Sequence, residues 1–333
     1  SAAGYLVQVV QKNDPAVVAL SKTVAANTGS TDFELSAWQG NGGEFVAQVT
    51  ATGGNQALDS KVTVSASSVI QLSPPSNVTF SLNKQAGNFT IGWNQVSGAA
   101  NYSVSIVRSD DPSVKAATVQ VAASKTTTDI QLQDFSGSGG DYKASVTALG
   151  ATAVIDSAAA LSATSVTKLA TPAAVTVTLA KQQQQIDVAW GQVQGAMSFA
   201  IQLVKAGDPA VVAATGTGAA ADTSWSTPLS QFHGNGGQYQ ASVKATGNTN
   251  VLDSDAGTSA GSITQLQAPA LTALTFSFNL VHAAWSAVTD ASSYAFTLSA
   301  NGAQVLSQPA SGTSVDVSVS ALQSGTYQGQ VQA

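Results

Sequence analysis

Short segments in which apolar and polar residues alternate follow one another along the chain. Between residues 78 and 146, four such segments carry an apolar side chain at every second position. Those positions are Val78, Phe80 and Leu82; Phe89, Ile91 and Trp93; Tyr102, Val104 and Ile106; and Tyr142, Ala144 and Val146. Alternation over roughly 5–8 residues, with Gly, Asn, Asp and Pro between the segments, predicts half-buried antiparallel strands. Longer stretches lack a helical period, so the pattern predicts an all-β fold.

The pattern recurs with a period of 97 residues. A Leu-x-x-Pro element, an Asp-Pro pair, a Gly-Gly pair, an apolar-Asp-Ser triplet and two aromatic positions all return at this offset in three copies. The triplets are Leu58-Asp59-Ser60, Ile155-Asp156-Ser157 and Leu252-Asp253-Ser254. Several independent anchors at one offset identify an internal repeat. A repeat of this length with six or seven short strands is typical of an antiparallel β-sandwich.

The last copy departs from the period. Trp93 and Trp190 are 97 residues apart, whereas Trp285 follows Trp190 after 95. The middle of this copy is shorter and has lost the Asp-Pro pair. Asn301-Gly302 stands in its place, and Asn-Gly between alternating segments predicts a tight β-hairpin.

The repeat divides the chain into four predicted domains, with boundaries just before the recurring prolines, which suit the start or edge of a strand. Residues 73–169 and 170–266 each predict a complete seven-stranded sandwich. Residues 1–72 and 267–333 each predict an incomplete one. Linkers are almost absent, so we expect neighbouring copies to touch.

Each complete copy resembles a fibronectin type III domain, a sandwich of two sheets with strands A to G. The resemblance rests on a proline, an alternating strand, a strand ending in Trp, and an aromatic residue nine positions after that Trp. These pairs are Trp93 with Tyr102, Trp190 with Phe199, and Trp285 with Tyr294. The runs 96–101 and 193–198 are similar to bacterial versions. Residues 322–327 and 135–142 resemble the tyrosine corner of the family.

The resemblance implies that the chain starts and stops within domains. Residues 1–72 would supply strands C to G, and residues 267–333 strands A to F. One explanation is a window cut from a longer tandem array, which we favour. The other is completion by strands of a neighbouring molecule, because an open sheet edge is a template for pairing.

The Asp-Pro and Gly-Gly pairs are candidate contacts between consecutive domains. By the same resemblance both lie on loops that face the next domain, where glycine permits close backbone approach. Ordinary turn chemistry is the alternative, since Asp and Gly are favoured in turns. The candidate junction residues are Asp14, Pro15, Gly42, Gly43, Asp111, Pro112, Gly139, Gly140, Asp208, Pro209, Gly236 and Gly237.

Composition argues against most chemistry. Charged residues make up 9% of the chain, with 12 basic and 18 acidic residues and a net charge of −6, which makes nucleic acid an unfavourable partner. There is no Cys and there are only 2 His, so we expect no catalytic site, no metal site and no cofactor. His233 and His282 are interpreted as structural. Asp110-Asp111 and Asp253-Ser254-Asp255 are too sparse for a calcium site, which takes six to eight oxygens. No apolar run approaches the roughly 20 residues of a membrane span.

Two surface features remain open. Asn77, Asn88 and Asn101 begin Asn-x-Ser/Thr sequons, which are glycosylation acceptors only in the right compartment. Trp93, Trp190 and Trp285 are predicted core residues, whereas Trp38 and Trp225 are less constrained, and an exposed Trp can stack on sugar rings.

These observations predict a non-catalytic structural protein at the cell surface or outside the cell. The leading hypothesis is a fibre, filament or adhesin stalk of stacked sandwiches, of the bacterial or archaeal kind. Its partners are expected to be other copies of itself, with cell-surface or matrix glycans as further candidates. The alternative is a set of spacer or carbohydrate-binding modules in a larger secreted enzyme or a phage tail protein.

Overall fold

The computed structural model describes residues 2–323 and 325–333. These residues form 28 β-strands and four single-turn 3-10 helices, and no α-helix occurs among them. The all-β class predicted from the alternation is therefore confirmed. The strands fall into four consecutive sets, which we name the first to fourth repeats.

The strands and turns have the following bounds. The first repeat contains β1 (Gly4–Gln11), β2 (Asp14–Ala25), β3 (Gly43–Thr52) and β4 (Thr63–Gln71). The second contains β5 (Thr79–Asn83), β6 (Asn88–Gly92), β7 (Asn101–Arg108), β8 (Lys115–Ala122), β9 (Thr127–Gln131), β10 (Gly140–Leu149), β11 (Val154–Ile155), β12 (Ala160–Leu161) and β13 (Val166–Lys168). The third contains β14 (Thr176–Ala180), β15 (Gln185–Ala189), β16 (Ser198–Lys205), β17 (Asp208–Ala219), β18 (Ser224–Pro228), β19 (Gly237–Thr246), β20 (Val251–Leu252), β21 (Gly257–Thr258) and β22 (Ile263–Gln265). The fourth contains β23 (Leu271–Ser277), β24 (Leu280–Trp285), β25 (Tyr294–Ala300), β26 (Ala303–Ala310), β27 (Ser314–Ser318) and β28 (Tyr327–Gln332). The 3-10 turns span Leu35–Ala37, Leu132–Asp134, Lys181–Gln183 and Leu229–Gln231.

The second repeat is a sandwich of two antiparallel sheets. One sheet has the order β5-β6-β9, and the other β8-β7-β10-β13, with β12 also paired to β10. Because β12 and β13 pair with one edge of β10, they act as a single interrupted last strand, which makes seven strands in all. Alternate residues of β7 point into the core, and Tyr102, Val104 and Ile106 are fully buried there.

The third repeat has the same arrangement, with sheets β14-β15-β18 and β17-β16-β19 and with β21 and β22 on the edge of β19. The fourth repeat has sheets β23-β24-β27 and β26-β25-β28. Its β25 and β26 meet at Asn301-Gly302, with φ of 50° and 79°. Positive φ at both positions is the geometry of a tight hairpin turn, so the predicted Asn-Gly hairpin is confirmed.

The first repeat is a single sheet in the order β4-β3-β1-β2. The stretch 30–34 lies 97 residues before β9, yet it forms no strand. In the second repeat β9 pairs with β6, and no described strand of the first repeat takes the place of β6. One face of this sheet is consequently less covered: Val49 is 36% exposed, whereas its counterpart Val146 is fully buried.

Aromatic residues organise each core as the sequence predicts. Trp93, Trp190 and Trp285 are at most 4% exposed, and each packs on the aromatic ring nine positions later at 5.2–5.5 Å. The Tyr142 hydroxyl donates to Ser138 O at 2.7 Å, and the Tyr327 hydroxyl donates to Gln323 O at 2.6 Å. Both tyrosine corners are therefore confirmed.

The chain divides into two compact units. One comprises Ser1–Ala170 with Gly247–Asp253, and the other Thr171–Thr246 with Ser254–Ala333. The segment Gly247–Asp253 contains β20 and follows β19 along the chain, but it packs with the first unit. The residues that hold this segment define the candidate functional site.

Candidate functional site: a strand-paired junction

The Asp-Pro pairs lie in the exposed turns before β2, β8 and β17. Each Asp accepts a hydrogen bond from the backbone N–H two residues later. The three distances are 3.2 Å from Ala16 to Asp14, 3.1 Å from Ser113 to Asp111, and 3.3 Å from Ala210 to Asp208. This is the side-chain-to-backbone bond that stabilises a local turn.

The Gly-Gly pairs lie against the chain just after the last strand of their own repeat. A Cβ on Gly42 would meet Ser73 Cα at 2.8 Å, and one on Gly139 would meet Ala170 Cα at 2.6 Å. Both distances are shorter than real Cβ contacts, so any side chain here would push the exit segment away. Gly236 takes the same position against Gln267, and its N–H donates to Gln265 Oε1 at 3.0 Å. The glycines thus fix where the chain leaves each sheet; their role as a contact between domains stays a prediction.

A parallel strand pair joins the first two repeats. In it β11, from the loop between β10 and β12, lies beside the end of β4, with Val154 opposite Ile70 and Ile155 opposite Gln71. The Leu72 N–H extends the ladder by donating to Ile155 O at 3.0 Å. The Gln71 side chain donates from Nε2 to Asp156 O at 3.3 Å. The pairing therefore ties the exit of the first sheet to a loop of the second repeat.

The same pairing recurs one period later within the first unit. Here β20 lies parallel to β13, with Leu252 opposite Lys168, and the Leu169 N–H donates to Leu252 O at 3.0 Å. Leu252 is 8% exposed and belongs to the apolar cluster of the second repeat. A leucine from the loop after β19 thus completes the core between β5–β6–β9 and β7–β10.

The apolar-Asp-Ser triplet builds the loop that pairs. In the second repeat Asp156 Oδ1 accepts the Gly150 N–H at 2.7 Å, and Ser157 Oγ accepts the Ala148 N–H at 2.9 Å. The other two triplets repeat these bonds at 2.8–3.0 Å. Asp and Ser hold the turn through the backbone, and the residue before them is left facing outward, where a neighbour can cover it.

A lysine clamps the loop that carries β20. Lys84, in the turn after β5, donates from Nζ to Gly247 O at 3.1 Å, Val251 O at 3.1 Å and Asp253 Oδ1 at 2.6 Å. Asn248 O is a further acceptor at 3.3 Å. The Lys84 and Asp253 side chains are each 28% exposed, so the pair is partly shielded from water. Lys181 lies 97 residues after Lys84, at the corresponding turn of the third repeat.

The sparse acidic clusters are engaged by cations of the protein itself. Arg108 Nε donates to Asp110 Oδ1 at 2.9 Å, and this hydrogen bond is the main reason that the pKa of Asp110 is lowered. Asp253 is engaged by Lys84. Among the described residues no three His, Asp or Glu side chains lie together in a group that could hold a metal ion.

The remaining candidates are dispersed. His282 Nδ1 lies 2.7 Å from Asp316 Oδ1 in an exposed pair, and the His233 N–H donates to Ala213 O. A cleft of about 600 Å³ in the fourth repeat lies between Phe276 and Tyr327, and its described lining has no charged side chain. Across residues 2–323 and 325–333 we find no helix with the length and hydropathy that crossing a bilayer takes.

The predicted sugar-related residues differ in accessibility. Asn77 and Asn101 are exposed, whereas Asn88 is half-buried. Trp38 is half-buried and packs edge-on against Phe45 at 4.9 Å, and Trp225 is also half-buried. Glycosylation stays a prediction for the three asparagines.

The strand order identifies the architecture. Three strands face four, with the seventh strand interrupted, in both complete repeats. The fold is that of tandem fibronectin type III-like sandwiches. No family model matches the sequence, and no curated protein matches it.

Solved structures with tandem domains of this type give low superposition scores. The FN1–FN3 domains of chicken CNTN1 are 17% identical over 79% of this chain and 89% of that chain, with a TM-score of 0.24. A segment of two fibronectin type III domains from chicken tenascin is 14% identical over 57% of this chain and 99% of that chain, with a TM-score of 0.26. The fold description therefore depends on the strand pairing and not on these likenesses.

The sequence pattern does not point to the junction itself. The Asp of the triplet is compatible with an ordinary turn or a strand edge, and parallel pairing to a strand 85 residues away leaves no local trace. One signal was nevertheless present: Leu58, Ile155 and Leu252 recur before the Asp, outside any alternating strand. An apolar residue that recurs in a loop needs a partner elsewhere to bury it.

Proposed function

We propose that the chain is a non-catalytic structural segment of an extracellular or cell-surface fibre, filament or adhesin stalk. The observation that carries the proposal is the strand-paired junction, which occurs twice within the first unit at a 97-residue spacing. A flexible linker between sandwiches would not need backbone pairing, a buried leucine and a lysine clamp.

The junction favours a mechanical role because its parts must break together. Separating β11 from β4 breaks the Leu72–Ile155 and Gln71–Asp156 hydrogen bonds. Each is worth on the order of 1 kcal/mol. Exposing Leu72, which is 4% exposed, adds about 2 kcal/mol. Tandem sandwiches tied in this way gain stability from each neighbour.

The low charge supports a location where the surface meets its own kind or a matrix. Only 9% of residues are charged, against roughly 25% in a typical soluble domain. A polar but uncharged surface has little charge repulsion to keep neighbouring copies apart.

Immunogold labelling of intact producer cells tests the proposal. An antibody raised against the chain should label surface fibres without permeabilisation, and negative-stain images of the released material should show extended assemblies. A control antibody against a cytoplasmic protein should label only lysed cells. Labelling confined to lysed cells, or isolated globular particles in the released material, would refute the proposal.

One observation favours the alternative of a carbohydrate-binding module. Phe276 and Phe278, at the end of β23 and in the turn after it, are 67% and 96% exposed. Exposed aromatic rings can stack on sugar rings. Affinity electrophoresis through gels that contain soluble polysaccharides tests this candidate. Retardation that is lost in Phe276→Ser would support it, and equal mobility in every gel would exclude it for those polysaccharides.

A further inference from the structure

The loop of the first repeat has the junction's shape but no cover. Its Asp59 Oδ1 accepts the Gly53 N–H at 2.8 Å, and Ser60 Oγ accepts the Ala51 N–H at 2.9 Å, as in the paired loops. Leu58 stands where Leu252 stands in the third copy of the triplet. Leu252 is 8% exposed, whereas Leu58 is 98% exposed. The loop is therefore preformed, with its apolar residue in water.

The opposite half of the junction is uncovered in the third repeat. Among the described strands β22 pairs with β19 along one edge, and none pairs along its other edge. The counterparts of this edge, β4 and β13, are each covered by a triplet loop. Lys181, the counterpart of Lys84, is exposed. Residues 271–333 contain no apolar-Asp-Ser triplet that follows β28.

We propose that the loop 53–59 of one molecule docks on the Lys181 and Gln265–Leu266 surface of a second copy of this chain. Leu58 then takes the place that Leu252 has beside Lys168, and Asp59 receives the Lys181 ammonium as Asp253 receives that of Lys84. The occupant is a second copy because this chain supplies both unused halves, with matching backbone pattern and opposite charge. The inference rests on the proposed function, since it extends the same junction from within a chain to between chains.

The contact is heterologous, because the two surfaces differ and lie on different repeats. A heterologous contact that does not close generates open linear assemblies instead of a fixed dimer. Association should weaken with added salt, since one component is an exposed ion pair.

Sedimentation velocity of the full chain over rising concentration tests the contact. Wild type should form linear oligomers in low salt. Leu58→Asn and Lys181→Glu should each weaken self-association at least tenfold, with unchanged far-UV circular dichroism. Phe278→Asn is the matched control, because Phe278 is 96% exposed but outside both surfaces, and it should associate as wild type.

Mixing the two variants gives the decisive readout. Leu58→Asn keeps an intact receptor surface, and Lys181→Glu keeps an intact loop, so the mixture should form one-to-one dimers and nothing longer. A wild type that stays monomeric up to its solubility limit would overturn the proposal. So would variants that associate like wild type, or a mixture that stays monomeric. None of these results bears on the junction within the chain, so the proposed function can fail or survive independently.

Discussion

Leu252→Ala should destabilise a repeat to which Leu252 does not belong in sequence. Leu252 follows β19 of the third repeat, but its side chain is 8% exposed within the apolar cluster of the second. Leucine carries three more carbons than alanine, and each buried CH₂ contributes about 0.8 kcal/mol. Buried Leu→Ala changes cost roughly 2–5 kcal/mol, and a loop that can partly collapse lies at the low end. We therefore expect a loss of about 2 kcal/mol.

Hydrogen exchange followed by mass spectrometry locates that loss. A change of about 2 kcal/mol accelerates exchange by opening roughly 30-fold, since 1.4 kcal/mol is a factor of ten. The slowest amides of β7 and β10 in the second repeat should show it. Leu58→Ala is the matched control, because the same triplet position is 98% exposed in the first repeat and its change should stay within about 0.5 kcal/mol.

Two results would refute this reasoning. One is unchanged exchange in β7 and β10 of Leu252→Ala, with the effect confined to β19 and β21. The other is an equal effect of Leu58→Ala, which would mean that the triplet acts through its own loop and not through the neighbour's core.

Three further predictions concern single groups of the junction and the core. Lys84→Met should lower the stability of the first unit by about 1 kcal/mol in low salt, and wild type and variant should converge in 1 M NaCl, as measured by urea unfolding; a difference that persists at high salt would contradict an ionic clamp. Asp156→Ala leaves the Gly150 N–H without its 2.7 Å acceptor and should cost about 1 kcal/mol, seen as faster exchange at Gly150, whereas Asp156→Asn should retain most of the protection; equal losses would show that the acceptor oxygen is unimportant. Tyr142→Phe removes the 2.7 Å bond to Ser138 O and should cost about 1 kcal/mol in thermal unfolding, and no change in Tm would mean that this corner is not stabilising.

The sequence predicts the sandwich but not the junction, for a physical reason. Strands such as β7 carry their burial pattern in alternate side chains, and Trp93 and Tyr102 mark the core by their spacing. Pairing of Ile155 with Gln71 depends on where two distant segments meet in space, and neither residue is unusual in its own neighbourhood. The repeat offset supplies the missing information only once one member of the set is seen covered.

The stretch 30–34 illustrates the complementary limit. Its alignment with β9 predicts a strand, and local composition does not argue against it. A strand needs a hydrogen-bonding neighbour, and β9 has β6, whereas the described part of the first repeat offers none. Pattern therefore predicts which residues are suited to a strand, and the presence of a partner decides whether the strand forms.

Disulfide trapping tests the parallel junction most directly, because the chain has no native Cys. Ile70 and Val154 are opposite one another in the β4–β11 pair, and paired Cα atoms lie within the 4.4–6.8 Å that a disulfide spans. The double variant Ile70→Cys with Val154→Cys should form an intramolecular disulfide in high yield under mild oxidation. Ile70→Cys with Val114→Cys, placed in an exposed turn, should not. Absence of the first crosslink, or equal crosslinking of both pairs, would contradict the strand-paired junction.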